Sequence, residues 1–519
     1  MTSYDYIVVG AGSAGAVVAG RLSENPDLRV LLIEAGGSHR HPSVQIPAAF
    51  PKQFKTKLDW EYYTEPEPHL DGRSLLYQRA KMLGGCSSMN AMIYVRGNRH
   101  DYDAWAKNGA TGWSYDEVLP LFKRTEKNSR GANQYHGVDG PQHIQDQRNP
   151  TELTHAMIDA MVETGMPRNP DFNGEEQEGV GFNQVCQNRG QRWTTADAFL
   201  MPARKRANLT IKRDTQVLRV RFTGDRAVGV ETNNGFFHAE REVILSGGAI
   251  NTPQLLMLSG IGPAAHLAQN GVAALVDNPH VGAHLMEHPF CMVNYETTSR
   301  KTLFGAGTPR DLVDFYARRR GPLTSNIAEL SGFFRTGDHE LPDMQIIGAP
   351  GYFFDNGFAS HDRPAFTFAM SMIAPISEGS VRLRTGDPSE KAAISLNIFA
   401  EQADLDSMVD AVEKAREIVA APSLRKVVGP EIHPGGTART KQEIERKVRA
   451  ETMHTYHASC TARIGAEGEG VVDPELRVHG VRGLRVADAS VFPVIPRGNT
   501  HAPAMMVGEK AADLIRETL

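Results

Sequence analysis

The chain has 519 residues, enough for two domains or one large domain with an insertion, and its composition, 40% hydrophobic and 23% charged, is ordinary for a soluble globular protein. A formal net charge of −5 and an isoelectric point near 6.5 argue against a nucleic-acid binder, and no apolar run reaches the roughly 18 residues that crossing a bilayer requires. The start, MTSYDYIVV, has no basic leader or cleavage site, which predicts a cytoplasmic protein, and the widely separated Cys86, Cys186, Cys291 and Cys460 fit reduced bystanders better than metal ligands.

The chain opens on a nucleotide-gripping unit: an apolar strand Tyr6-Ile-Val-Val9, the turn Gly10-Ala-Gly12-Ser13-Ala14-Gly15, a helical stretch from Ala16 to Ser23, and a second strand, Leu28 to Ile33, ending on Glu34 and Ala35. Gly10 permits the tight turn, Gly12 lets backbone approach a pyrophosphate, and Gly15 lets helix and strand pack closely. The helix N-terminus presents free N–H donors, and the acid about 20 residues on can accept from a ribose diol. The unit by itself fits NAD or FAD equally. Residues 38 to 75 read as irregular surface, followed by the glycine-serine segment Leu83-Gly-Gly-Cys-Ser-Ser-Met-Asn90.

Strand-like alternation returns from Leu209 to Leu245, with a hairpin signal at Asn233-Asn-Gly235. Ala365 to Ile373 and Gly379-Ser-Val-Arg-Leu-Arg384 predict strands of a second, antiparallel sheet. Helical periodicity covers Asp404 to Ala420 and Lys441 to Arg449. Near the end, Leu484 to Ser490 reads as a buried strand running into a turn, and Pro503 to Thr518 as a helix with proline in its first turn. A strand and helix there would complete a doubly wound sheet begun at residue 4. The expected fold is α/β: a discontinuous Rossmann-like nucleotide domain (1–155, 206–290 and 452–519) with an inserted α+β substrate domain (156–205 and 291–451) built on an antiparallel sheet.

Residues 248–262, Gly-Ala-Ile-Asn-Thr-Pro-Gln-Leu-Leu-Met-Leu-Ser-Gly-Ile-Gly, resemble one signature of the glucose/methanol/choline family of FAD-dependent oxidoreductases, and Arg79 to Gly97 resembles the other. Further similar stretches are His136 to Pro141, Asp171 to Gly174, Tyr456 to Gly465 and Gly498 to Pro503, in the family's order. The resemblance implies FAD, with Gly85, Asn90 and Ala91 along the flavin and pyrophosphate, Val217 at the adenine, and Asp488, Ala489, His501 and Ala502 at the phosphate, ribityl and flavin region. Some relatives bond FAD covalently through a histidine at the position of Met89, so a non-covalent FAD is expected here.

Oxidising an alcohol requires a base beside the ring, and imidazole titrates in the useful range. The resemblance places His457 as that base and His501 as its partner on the substrate oxygen. Glu329 lies in a stretch that faces a substrate cation in choline-oxidising relatives, and Tyr456 adjoins the base. Both are candidate substrate contacts. The terminal helix would turn its positive end to the flavin. His280, His284 and His288 recur every four residues, but Gly282 and the flanking Pro279 and Pro289 break the helix a metal site would need, so no metal is expected. Arg497 would either bind an anionic or polyhydroxyl substrate or be a solvated rim residue. The expected activity is oxidation of a primary or secondary alcohol to the carbonyl, with O2 or another electron acceptor. A lyase or photodecarboxylase on the same scaffold is the alternative.

Overall fold

The structure is a computed structural model and describes residues 3–518. The opening strand, Ser3–Val9, is buried almost throughout and lies between Val30–Ile33 on one side and the long strand Gly235–Leu245 on the other, parallel to both. Leu209–Lys212 extends the sheet beyond Val30–Ile33, also in parallel. Gly235–Leu245 serves two partners along its remaining edge. Its first half pairs antiparallel with Arg226–Thr232 across the expected two-residue hairpin, and its last three residues pair in parallel with Leu484–Val486. Val217–Thr223 completes this seven-stranded sheet.

The chain leaves the opening strand toward one neighbour while the other neighbour arrives from far along the sequence. A crevice therefore opens at its carboxyl end, the topological switch point at which doubly wound sheets bind ligands. Gly10 makes the turn there at φ +98°, and a Cβ on it would stand 2.4 Å from the Ser246 carbonyl oxygen. The helix Ser13–Leu22 then rises with its N-terminal N–H groups uncapped by any side chain. The terminal helix, His501–Arg516, packs against it through Gly508, whose Cβ would collide with the Ala14 carbonyl. Buried Glu509 holds Arg21 at 2.8 Å, tying the two ends of the chain together. The helix begins two residues before the expected Pro503, which makes His501 its first residue.

The second large sheet is antiparallel throughout, in the order Val428–His433, Pro289–Thr297, Ala365–Met372, Met344–Ala349, Leu330–Phe334, Gly179–Phe182, with Met453–His454 also paired to Pro289–Thr297. Strand period decides what its faces do. Cys291, Val293, Ile346, Phe366, Phe368 and Met370 pack with the apolar stripe of the helix Gln402–Ala420, namely Leu405, Met408, Val409, Val412 and Ala415. The alternate residues, Phe290, Met292, Ile347, Ala349, Thr367 and Ala369, wall a cavity against the parallel sheet's crevice. The stretch Gly379–Arg384 does not join this sheet: Ser380–Arg382 forms a separate ribbon with Ala393–Ser395. Residues 38–75, expected to be irregular, contain the short helix Pro42–Gln45 and a 3-10 segment, Pro47–Gln53. Among the described residues no helix is long and apolar enough to cross a membrane.

Candidate active site

One continuous cavity runs from the glycine turn to the antiparallel sheet. At the nucleotide end it is lined by Gly10, Gly12, Ser13, Ala14, Glu34, Ala35 and Val217. Glu34 is 6% exposed, and its two carboxylate oxygens accept from the Ala11 and Gly36 amides at 2.9 and 2.8 Å. Burial pushes this carboxyl up to about 7, and each oxygen keeps a lone pair for a hydroxyl of a bound ligand. Gly85, Asn90 and Ala91 line the next stretch. Gly84 donates to the Ala11 carbonyl at 2.8 Å, and a Cβ on Gly85 would meet Gly12 Cα at 2.7 Å, so this segment lies directly on the glycine turn.

Asp488 and Ala489 also line the cavity, but the Asp488 carboxylate is taken up by the protein: it accepts from Gly248 N–H, the Thr252 hydroxyl and Ser490 N–H, holding the start of the helix Gly248–Leu258. Gly15 and Ala502 do not line the cavity. Gly15 is a packing glycine, with a Cβ position 2.0 Å from the Gly10 carbonyl, and Ala502 is buried in the terminal helix.

At the other end His457 is 8% exposed, on a turn forced by Tyr456 at φ +65°. Its amide donates to Glu287 Oε1 at 2.6 Å, and the same oxygen accepts from the His288 amide at 3.0 Å. Glu287 also accepts from the Tyr77 hydroxyl. Burial pushes the Glu287 carboxyl up to about 7, against the pull of Arg79. Arg79 Nη2 donates to the Tyr456 carbonyl at 2.6 Å, closing the support behind the turn.

The imidazole of His457 makes two contacts, and neither is with His501. Its Nδ1 lies 2.9 Å from His288 Nδ1, and its Nε2 lies 3.3 Å from Asn499 Nδ2. The structure thus brings Asn499, and not the expected His501, against the His457 imidazole. His501 Nδ1 is bonded instead to the Ser13 hydroxyl at 2.9 Å, at the start of the first helix, and its Nε2 is buried without a partner. An amide NH2 can only donate, so the tautomers follow in sequence: Nε2 of His457 is an acceptor, its proton is on Nδ1, and His288 Nδ1 accepts it. Burial, with His288, Arg79 and His454 nearby, holds His457 well below the usual imidazole range. His457 is thus neutral, with its lone pair on Nε2.

Glu329 lies elsewhere than its expected role requires. It is fully buried outside the cavity and bonded to Thr151 N–H, the Thr154 hydroxyl and the Ser325 hydroxyl, so it is not available to a substrate cation. Tyr456 lines the cavity with its ring, while its hydroxyl donates to Asn356 at 2.7 Å. Arg497 is ion-paired with buried Asp101 and does not line the cavity. The three recurring histidines separate: His280 and His284 stack near the surface, and His288 lies beneath His457.

Three features fit FAD: the uncapped helix N-terminus at Gly12, the free lone pairs of Glu34, and buried polar atoms without partners at Ser246 Oγ, His501 Nε2 and both ends of the Gln78 amide, all on cavity-lining residues. Family profiles described as GMC oxidoreductase match residues 4–290 and 375–508. The chain belongs to the GMC oxidoreductase family. This GMC oxidoreductase is an FAD-dependent enzyme acting on CH–OH donors. It is 42% identical to a GMC-type oxidoreductase of Mycobacterium tuberculosis that is called uncharacterized, over 99% of both chains. It is 39% identical to an alcohol dehydrogenase (acceptor) of Pseudomonas putida, over 99% of this chain and 95% of that one. The crystal structure of pyridoxine 4-oxidase from "Mesorbium loti" superposes with a TM-score of 0.91 at 30% identity, over 99% of each chain.

Proposed function

We propose that this GMC oxidoreductase oxidises a primary or secondary alcohol with an apolar body to the aldehyde or ketone. His457 removes the hydroxyl proton at Nε2, and Asn499 steadies the oxygen beside it. FAD, when bound, supplies the two-electron acceptor for the hydride and passes the electrons to O2 or another acceptor. Glu34, the Ser13–Ala14 amides, Asn90 and Val217 would hold it. Met89 stands in place of the histidine that bonds FAD in some relatives and has no imidazole to do so, so FAD is read as dissociable.

The observation that carries the reading is the contact of the buried His457 Nε2 with Asn499 Nδ2 at 3.3 Å, above a wall without free hydrogen-bonding groups. That wall is Phe290, Met292, Ile347, Ala349 and Ala369, and the hydroxyl of its one polar member, Thr367, donates to the Gly351 carbonyl at 2.8 Å. The cavity-lining Thr455 hydroxyl is bonded to the His288 carbonyl. The lining carboxylates Glu34 and Asp488 lie at the nucleotide end, and Glu390 lies in the loop where Gln254 and Gln216 reach the backbone. A polyol would leave hydroxyls unpaired here at about 1–3 kcal/mol each, and a choline-like cation would find no carboxylate.

The test is an anaerobic panel of alcohols followed at the flavin absorption band, then admission of air. Benzylic and medium-chain alcohols are expected to bleach the flavin. Preferential bleaching by choline or glycerol would overturn the substrate class, and no bleaching by any alcohol would overturn the activity.

A further inference from the structure

We propose that Gln345 is a positioning residue for the base: it decides which end of the Asn499 amide His457 meets, and the two amides turn together when His457 takes up a proton. Such a role presupposes the alcohol-oxidising reading above and extends it to a residue outside the cavity.

Gln345 lies in the strand Met344–Ala349, on the same face as the cavity-lining Ile347 and Ala349, but is itself fully buried beyond the cavity. Its Nε2 donates to Asn499 Oδ1 at 3.2 Å and to the Ser331 hydroxyl at 3.1 Å, while its Oε1 has no partner. Asn499 passes the polarity on, offering Nδ2 to His457 Nε2 at 3.3 Å. Beyond the ring, His457 Nδ1 meets His288 Nδ1 at 2.9 Å.

An amide shows a donor at one end and an acceptor at the other. With Gln345 presenting its NH2, Asn499 answers with its carbonyl and must turn its own NH2 to His457. That arrangement suits only an Nε2 without a proton. Once the O–H bond of the alcohol has broken and the proton sits on Nε2, two donors face each other. A half-turn of Asn499 brings its carbonyl to Nε2–H, and a half-turn of Gln345 brings Oε1 to the Asn499 NH2. The Ser331 hydroxyl accommodates both states, accepting in the first and donating in the second, so the alternation ends there. The proton affinity of the base is thereby adjusted from a neighbouring strand without any contact between Gln345 and substrate.

Other groups also act on His457. His288 and Glu287 face it from the loop before Pro289–Thr297, and Arg79 and Tyr77 from the segment behind the turn. His454 and Tyr456 belong to its own segment, and Arg497 lies close enough to influence His288. None of them is hydrogen-bonded to Gln345. Substitution at Gln345 therefore leaves their hydrogen bonds in place.

The experiment compares wild type, Gln345→Glu and Gln345→Met as flavin-loaded enzymes, with flavin content and melting temperature as controls for folding. Two quantities are read: the acid limb of the kcat/KM pH profile with an alcohol from the panel, and the titration midpoint of His457 in the resting protein, followed by NMR of labelled histidine and assigned with His457→Gln. A carboxylate at 345 only accepts, so it draws the Asn499 NH2 to itself and leaves the carbonyl for a protonated His457. The limb and midpoint are expected to move up by about one pH unit or more in Gln345→Glu. In Gln345→Met, which releases Asn499 to either orientation, the shift is smaller but in the same direction. Because methionine carries no charge, a shift there is not Coulombic, and that variant decides the matter if the glutamate does not fold. Unchanged limb and midpoint in the folded variants, with or without a uniform fall in rate, would overturn the role. Failure of every alcohol to reduce the wild type would instead overturn the activity and leave the imidazole midpoints to judge Gln345.

Discussion

His457 and His288 face each other through their Nδ1 atoms, 2.9 Å apart and with their rings perpendicular. Only one of the two atoms can carry the proton, and Asn499 on the far side of His457 places it on His457. His288 is thus an acceptor that keeps His457, the proposed base, in the tautomer with Nε2 unprotonated. Replacing His457 by Ala should slow anaerobic flavin reduction by ~10²–10⁴-fold. Replacing His288 by Phe removes only the orienting bond and should cost roughly 10-fold or less. Stopped-flow reduction rates of the two variants check this order, and equal losses would mean that His288 does more than orient.

Asn499 and His501 are separated by one residue and should fail differently. Asn499→Ala removes the contact with His457 and is expected to lower the reduction rate by ~10-fold or more while leaving flavin content near wild type. His501→Ala removes the bond to Ser13 at the first helix turn, so its expected effect is weaker flavin retention. Flavin content after dialysis and single-turnover rates separate the two. A rate loss confined to His501→Ala would restore it as the partner of the base.

Much of the fold was readable because its signals are local. The glycine turn needs Gly10, Gly12 and Gly15 at fixed offsets, and Ala365–Met372 is an apolar run too short for a helix. The site was readable only where a motif held it, as at His457. Asn499 lies in the family-like stretch Gly498 to Pro503, but nothing in that stretch shows that it, and not His501, meets His457, because the contact depends on how the turn before the terminal helix is folded against Gln345 on a distant strand. His288 was obscured by the regular spacing of His280 and His284, which ends in separate places because the chain turns at Gly282, φ +72°. Glu329 is a buried acid whose partners, Thr151 and Thr154, lie far back along the chain, so nothing near it in sequence shows that its oxygens are already bonded. Ser380–Arg382 has strand composition but pairs only with Ala393–Ser395, because alternation specifies a strand and not its sheet.

Ala369 is a small residue in the apolar wall, paired across the sheet with Met292 on one side and Ile347 on the other. Ala369→Phe would project a ring into the space above them. Overpacking of this kind costs about 1–3 kcal/mol, which corresponds to a loss of roughly 5- to 150-fold in kcat/KM. The loss is expected for benzylic and medium-chain alcohols and should be near absent for ethanol. Steady-state kinetics with a homologous alcohol series measures it, and an equal loss across the series would place the substrate elsewhere in the cavity.

The proposal that FAD is dissociable makes its own prediction. Acid precipitation of the holoenzyme should leave the yellow colour in the supernatant, and colour in the pellet would contradict Met89 as a bystander. Glu34→Ala should weaken FAD binding to the stripped protein by ~10- to 100-fold, the range for a hydrogen bond to a charged group. Titration calorimetry reads that change directly.

Stability against pH follows from the buried imidazoles. Burial holds His288 and His454 down to about 3 and His501 down to about 4, and it lowers His457 strongly as well. Each binds a proton more readily in the unfolded chain than in the folded one. The stabilisation they confer is therefore complete above the unfolded value of 6.5 and is lost as pH falls toward the folded values. Glu287 works in the opposite sense. Its folded value, raised from 4.5 to about 7, favours the fold below 4.5, and that benefit disappears as pH rises through 7. Glu34, also raised to about 7, acts in the same sense as Glu287, but the four imidazoles outnumber these two carboxyls, so the holoenzyme should lose melting temperature steadily below about pH 6.5, with His288, His454 and His501 each contributing a loss on the order of 2–3 kcal/mol by about pH 4.5. His288→Phe cannot take up that proton and should flatten the dependence while lowering stability near neutrality. Melting curves of both proteins from about pH 8 to about pH 4.5 would test this, and parallel curves would remove His288 from the set of histidines that titrate on unfolding.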